Sequence, residues 1–409
     1  MKTAPLHETK DLEDDLPLPA TAAGWQARTV EQLTDKVLPL GLLCLLTGMM
    51  WAGDRQLFHQ LFYLLVALPA FMLALTSSPL RTELVRNPVF IAFLCFAAYV
   101  SASIAWSGAD DSALSLLKRP LYVVLLFIAM AGVAFHRPDR FTQVLRVSAV
   151  IAVAAGGILL VLFHLSDDGG RLTGYGALYN PLLTSHVFGF FLVLWIAYWI
   201  QERRLLLPQA MVAVAILGAV LLATGSRTPL LALSGAIFWL GLMSGGRRGA
   251  GACGLFTLAI GVIVMLWPES VTQRGLSYRP EIWAEAFRQA REFPLFGHGY
   301  DHPLSIHVNG IDFVFLDPHN MTLSVFYQGG LAGLLLWLAL YLTALITCWK
   351  YRRNPVVLGL SATVVYGFAA AMTEGGSFLS RPKEHWFLIW VPMALVAAAT
   401  TLRQPKDER

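Results

Sequence analysis

Long apolar runs separated by short polar breaks make up most of this chain. A bilayer core takes roughly 20 apolar residues per helix. Runs of that order fall at 37–53, 57–76, 88–106, 119–135, 144–165, 182–200, 205–224, 228–244, 251–267, 320–346, 355–373 and 386–402. They predict an all-α integral membrane protein with about twelve transmembrane helices. Spans eight and nine are short and Gly-rich, but neither has a charge in its middle. The one long interruption is 268–319, between spans nine and ten, which is polar, charged and His-bearing. Inside it Arg279-Pro280-Glu281 opens a further helix. Ile282, Trp283, Ala286, Phe287 and Ala290 form its apolar stripe, opposite Glu281, Glu285, Arg288, Gln289 and Glu292. Pro294 and Gly297 end it, and the stripe is expected to face the membrane or the bundle. No periodic repeat stands out.

Composition agrees with the pattern. Hydrophobic residues are 56% of the 409 and charged residues 14%, with a mean hydropathy of +0.60, which places the chain in the membrane class. The formal charge of +4 says less than the placement of the charges. The short loops QERR, GGRR and KYRRN are basic and fall on the side of the N-terminus, whereas GADD and SDDGG fall on the other. Positive-inside bias therefore puts both termini in the cytoplasm and the long loop outside. Residues 1–36 carry acids and prolines and no apolar signal core, so they are read as a cytoplasmic N-terminal tail with a short amphipathic piece near 25–37. The membrane domain is 37–402, and 403–409 is a cytoplasmic C-terminal tail. Four cysteines stand singly with no CxxC, so neither a disulfide framework nor a thiolate metal site is indicated. There is no Walker A, GxGxxG or GxSxG motif, and no nucleic-acid partner is expected.

Several outer-face residues could carry chemistry. Even-numbered spans begin at the outer face, so their free N–H groups and positive dipole ends point outward. Arg227, in GSRTPLL at the start of span eight, combines a guanidinium with a helix N-terminus, an arrangement suited to phosphate. The bland reading is an Arg snorkelling to headgroups. Arg279 has the same combination in the loop, and Arg171 in RLTGYGALYNP is a weaker candidate. His319, in DPHN at the mouth of span ten, could accept a proton from a sugar hydroxyl or hold a diphosphate oxygen. A lone His at a helix start is more often a structural hydrogen-bonder. His298, His302 and His307 suggest a metal cluster only on a helix that Gly297, Gly299 and Pro303 argue against. The pairs Asp110-Asp111 and Asp167-Asp168 could ligate a divalent ion, although acidic pairs in short loops are usually just solvated.

Three stretches together resemble the O-antigen ligase and polymerase superfamily: GSRTPLL (225–231), RPEIWAEAFRQAREFPLFGHG (279–299) and HNMTLSVFYQGGLAG (319–333). Their order, spacing and place on the outer loop match the family's pattern over roughly 171–335. The resemblance implies a GT-C-like membrane glycosyltransferase that moves a glycan from undecaprenyl diphosphate on the periplasmic side of the bacterial inner membrane. It would place the diphosphate on Arg227 and Arg279 and have His319 assist the acceptor hydroxyl. Asn320, Arg171 and Arg288 would support substrate binding, and Arg381 and Lys383 could meet acceptor phosphates. Gln328 departs from the pattern, standing where many relatives carry an acid.

Members differ by acceptor, which is lipid A–core for ligases, another repeat unit for polymerases, and Ser or Thr for protein oligosaccharyltransferases. Only 373–385 remains outside after span eleven, which argues against a protein acceptor, and the clear motif match favours a ligase. Preorganised Arg side chains and helix N-termini can stabilise a leaving diphosphate without a metal or cofactor. Single displacement would invert the anomeric centre, with both lipids entering through a lateral, membrane-level opening. Glu281, Asp317 or Glu374 could be the base instead, with His319 positioning. A transporter or flippase is the rival from another class, but such proteins place their polar interruptions near the midplane, often in repeated halves.

Overall fold

The computed structural model describes residues 22–166, 170–202, 207–244, part of 250–261, 278–308 and 310–402. Most of both tails, most of the ninth run, the start of the long loop, and Asp167-Asp168 lie outside the described residues. Among these residues the structure is helical, with no strand beyond one isolated bridge between Ile306 and Phe315. Seven helices are long and apolar enough to cross a membrane: α1 (Gly24–Met50), α2 (Arg55–Thr76), α4 (Pro88–Trp106), α5 (Ala113–His136), α6 (Pro138–Ser166), α7 (Pro181–Gln201) and α11 (Met321–Lys350). Four shorter apolar helices are α8 (Pro208–Ala223), α9 (Thr228–Ser244), α12 (Pro355–Ala371) and α13 (Glu384–Ala399). A short helix, α3 (Ser78–Leu84), follows α2, and α10 (Arg279–Ala290) is the loop helix.

Helix boundaries depart from the apolar runs where charges are paired. The first helix is already formed at Ala22, not at 37. Its Glu31 accepts from Arg137 (2.8 Å) and its Asp35 from Arg140 (3.2 Å), so charge ends the apolar run without ending the helix. Pro39 and Pro69 would each break an α-helix by clashing with the carbonyl four residues back. A π turn, at Leu33–Val37 and at Tyr63–Ala67, precedes each and absorbs the mismatch.

The charged contacts fall into two groups, at opposite ends of the bundle. At one end Glu31, Asp35, Arg137 and Arg140 associate, and Asn87 donates to Ala397 and Thr400. At the other, Arg55 meets Glu384, Arg119 meets Asp111 and Asp301, and Arg171 meets Thr224 and Ser226.

The long loop is held on the second end by two devices. In the first, the α10 stripe packs down: Ile282, Ala286 and Ala290 are fully buried against Leu304, Ile306, Val308 and Tyr327. Burying the Ile282 side chain contributes roughly 1.5–3 kcal/mol. Phe287, assigned to the same stripe, instead stands about half exposed. In the second, α11 breaks at Gly330 (φ 59°, ψ −161°), freeing backbone groups that the 294–299 turn then satisfies. His298 and Gly299 donate to Tyr327 O and Gln328 O, and Leu331 and Ala332 donate to Pro294 O and Leu295 O, at 2.8–3.1 Å. Only glycine fits there, because a Cβ on Gly330 would lie 2.5 Å from Gly297 N and Leu295 O. The Pro-Leu-x-Gly-x-Gly and Gly-Gly motifs are thus two halves of one joint.

Candidate active site

The mouth of α11 sets the site. Asn320 is its N-cap, its side chain accepting from the Leu323 N–H at 3.0 Å, so this residue is committed to the helix end. Immediately before it, His319 takes a left-handed backbone (φ 47°), unusual outside glycine and set here by its neighbour. Asp317 Oδ1 accepts the His319 backbone N–H at 2.8 Å and lies 3.1 Å from the ring Nδ1. That second approach lacks hydrogen-bond alignment, and Nδ1 is buried without another partner. Nε2 is the ring atom left to meet a substrate, on a side chain about one-third exposed.

The segment 373–376, Thr-Glu-Gly-Gly after α12, joins the motifs. Thr373 O accepts from Arg279 Nε at 3.1 Å, and Thr373 Oγ1 donates to Thr228 Oγ1 at the start of α9. Glu374 lies 3.8 Å from the Arg279 guanidinium. Gly376 O accepts from Ser324 Oγ on α11, and a Cβ on Gly376 would lie 2.5 Å from that of Asp317. Burial pushes the Glu374 carboxyl up to about 7, Asp317 adds to the rise, and Arg279 opposes it. Arg279, Glu374, Asp317, His319 and the Arg227–Thr228 helix start therefore share one small region. Arg227 is half-buried beside it.

The supporting residues divide. Arg171 is spent on bracing the turn before Arg227, with Nε on Thr224 O (2.6 Å) and Nη2 on Ser226 Oγ (2.9 Å). Arg288 is paired with Glu285 and Glu292 on the exposed face of α10. It stands nine residues, roughly 13 Å of helix, from Arg279, and the structure does not bring it to the Glu374 region. Lys383 lies near Asp317, and burial lowers its ammonium below its ordinary value while Glu384 pulls the other way. Arg381 is exposed. His298 stacks on Tyr327 and bonds Gln289 O, and His302 bonds Ser107 O, so both act as structural hydrogen-bonders. Among the described residues no three His, Cys, Asp or Glu side chains are grouped as metal ligands would be.

Comparison with known proteins matches the sequence that builds this region to a family. The O-antigen ligase family profile matches residues 212–338, which include Arg227, Arg279 and His319. A protein named O-antigen ligase from Pseudomonas aeruginosa is 48% identical over 368 residues, covering 90% of this chain and 91% of its own. The chain belongs to the O-antigen ligase family.

The ligase profile stops short of Glu374, which the fold alone brings to Arg279. Glu374 stands in the sequence as one of several possible bases, whereas the pairing of Arg55 with Glu384 does not show there: 329 residues apart, they meet at 2.6 Å with Glu384 fully buried. Arg55 also lies over the Tyr179 ring. An acid followed by two glycines at the end of an apolar helix was the available signal for Glu374; an acid at the start of one was the signal for Glu384. Gln328 uses both ends of its amide. Oε1 accepts from Asp301 N at 2.9 Å and Nε2 donates to Ser324 Oγ at 3.2 Å. An ionised carboxylate could not make the second bond.

Proposed function

We propose that this protein transfers an O-antigen glycan from undecaprenyl diphosphate to a sugar of lipid A–core, in a twelve-span, GT-C-like fold. The reaction takes place at the periplasmic face of the inner membrane, with both termini cytoplasmic. The observation that carries the reading is the convergence of Arg279, Glu374, Asp317, His319 and the α9 start on 373–376.

In this reading Arg279 and Arg227 hold the diphosphate, and the free N–H groups at the start of α9 add positive potential where leaving-group charge grows. His319, with Nδ1 turned to Asp317, takes the acceptor hydroxyl proton on Nε2 as the oxygen attacks the anomeric carbon. The glycosidic C–O bond to diphosphate breaks, undecaprenyl diphosphate leaves, and configuration inverts. Glu374 orients Arg279. Lys383 and the exposed Arg381 meet acceptor phosphates in this reading. No metal or cofactor takes part in this scheme.

The test uses purified protein, undecaprenyl-diphosphate glycan and lipid A–core, with EDTA, and resolves capped from uncapped core on a gel. Capping should persist in EDTA and fall about 10²–10⁴-fold in His319→Ala, the usual scale for losing a general base. Capping abolished by EDTA would overturn the metal-free scheme. A folded protein that caps nothing but lengthens the glycan would be a polymerase.

A further inference from the structure

We propose that the 293–297 turn, Phe-Pro-Leu-Phe-Gly, is a re-entrant wedge whose Leu295 and Phe296 side chains lie among the acyl chains of the outer leaflet. This rests on reading α4 and α11 as membrane-spanning and is independent of the transfer chemistry.

Depth is the first argument. The Phe296 carbonyl accepts from Tyr99 OH at 3.0 Å, and the same hydroxyl reaches Gly329 O at 2.6 Å. Tyr99 lies seven residues, roughly 10 Å of helix, inboard of Trp106 at the outer end of α4. Trp106 is about half exposed, as an interfacial tryptophan would be. Helical side chains lean toward the N-terminus, which in α4 is the inner end, so the Tyr99 hydroxyl sits no shallower than its Cα. A second helix also puts the turn inboard of its outer end. Gly330, against which the turn docks, lies ten residues or roughly 15 Å inside the Asn320 cap.

Continuity is the second argument. Leu331, Leu335, Leu338, Leu342 and Ile346 are all exposed at helical spacing, which makes them the lipid-facing stripe of α11. Leu295 and Phe296, each 60% exposed, and Phe293 at 57% extend that stripe from a segment that is not helical.

The backbone supplies the third. Non-helical chain at hydrocarbon depth persists only where its polar groups find partners in protein. Pro294 has no N–H, and the carbonyls of Pro294, Leu295 and Phe296 accept from Leu331 N, Ala332 N and Tyr99 OH. Gly297 N donates back to Phe293 O at 2.9 Å. An aqueous loop would not need this satisfaction.

The test is spin-label accessibility in phospholipid vesicles, using the full chain with native cysteines replaced. Labels go singly at Leu295→Cys and Phe296→Cys. A chain that keeps Cys95 alone of the native four, exposed on α4, gives the lipid-phase reference, and His307→Cys, at an exposed loop position, the aqueous one. Collision with oxygen, which partitions into the bilayer, is compared with collision with a water-soluble nickel chelate. The oxygen-to-nickel ratio at 295 and 296 should match that at Cys95 and exceed that at 307 several-fold. A ratio at both turn positions equal to that at 307, while the separate chain labelled at Cys95 reports lipid, would overturn the wedge. If a turn label unfolds the chain, bilayer-soluble carbene photolabelling of unmodified protein decides, since adducts on peptide 293–297 are expected and their absence overturns the proposal.

Discussion

At the scale of single residues, the decisive relation is between Glu374 and Arg279. Raising the Glu374 carboxyl to about 7 means that its neutral form is favoured in the folded protein. The sign for stability follows: ionising it costs stability as pH rises from the ordinary carboxylate range to about 7, and the cost is constant above that. For activity the proposed mechanism reverses the sign, because in it only the anion orients Arg279. The proposal therefore predicts that kcat/KM rises with pH through a limb centred near 7, and that Glu374→Gln flattens it. Since Asp317 contributes to the upward shift, Asp317→Asn should move the limb to lower pH as well as reducing the rate. A limb unchanged in Glu374→Gln would remove the carboxylate from the mechanism. The motifs made Arg227, Arg279 and His319 legible in the sequence as candidates. Glu374 could only be weighed as one of several possible bases, because its importance depends on a contact across 95 residues. The same motif suggests Arg288 as a supporting binder, but it pairs with Glu285 and Glu292 on the exposed face of α10.

At the scale of elements, the joint between the 294–299 turn and α11 explains why two loose Gly-containing motifs travel together. The sequence showed an apolar run from 320 to 346 with a Gly pair inside it. Periodicity does not reveal a break when the residues on both sides remain apolar. A side chain at Gly330 would have to adopt a backbone region open essentially to glycine, at a cost of about 1–3 kcal/mol. It would also collide with the turn. Gly330→Ala is thus expected to lower the melting temperature of the purified protein and to release the loop. The two effects separate experimentally: limited proteolysis should cut near 293–299 at temperatures where the helices still give a native circular dichroism signal. A variant that melts like the parent and resists cleavage would show that the joint does not hold the loop. Helix starts were less legible than helix cores for a related reason. Glu31 and Asp35 interrupt the apolar run, but their partners Arg137 and Arg140 on α6 and just before it let the helix continue.

At the scale of the whole molecule, the helical membrane class could be read from composition and run length, because lipid forces backbone groups to pair within each helix. What composition does not encode is how the first and last thirds of the chain close on each other. Arg55 and Glu384 do this at the end of the bundle that carries the site. Glu384 Oε2 is buried without a partner of its own, so the carboxylate depends on the guanidinium at 2.6 Å. Removing one member of a buried pair strands the other's charge, whereas replacing both with neutral groups need not. Arg55→Met should therefore destabilise the protein by on the order of 1–3 kcal/mol, a figure reduced from the fully buried case because Arg55 is 37% exposed. The double variant Arg55→Met/Glu384→Gln should recover part of that loss, since a neutral amide no longer needs the cation. Thermal unfolding of the two single variants and the double, in one detergent at one pH, gives the coupling directly. If the losses simply add, the pair does not close the bundle, and the link between the N- and C-terminal helices must lie in their apolar packing.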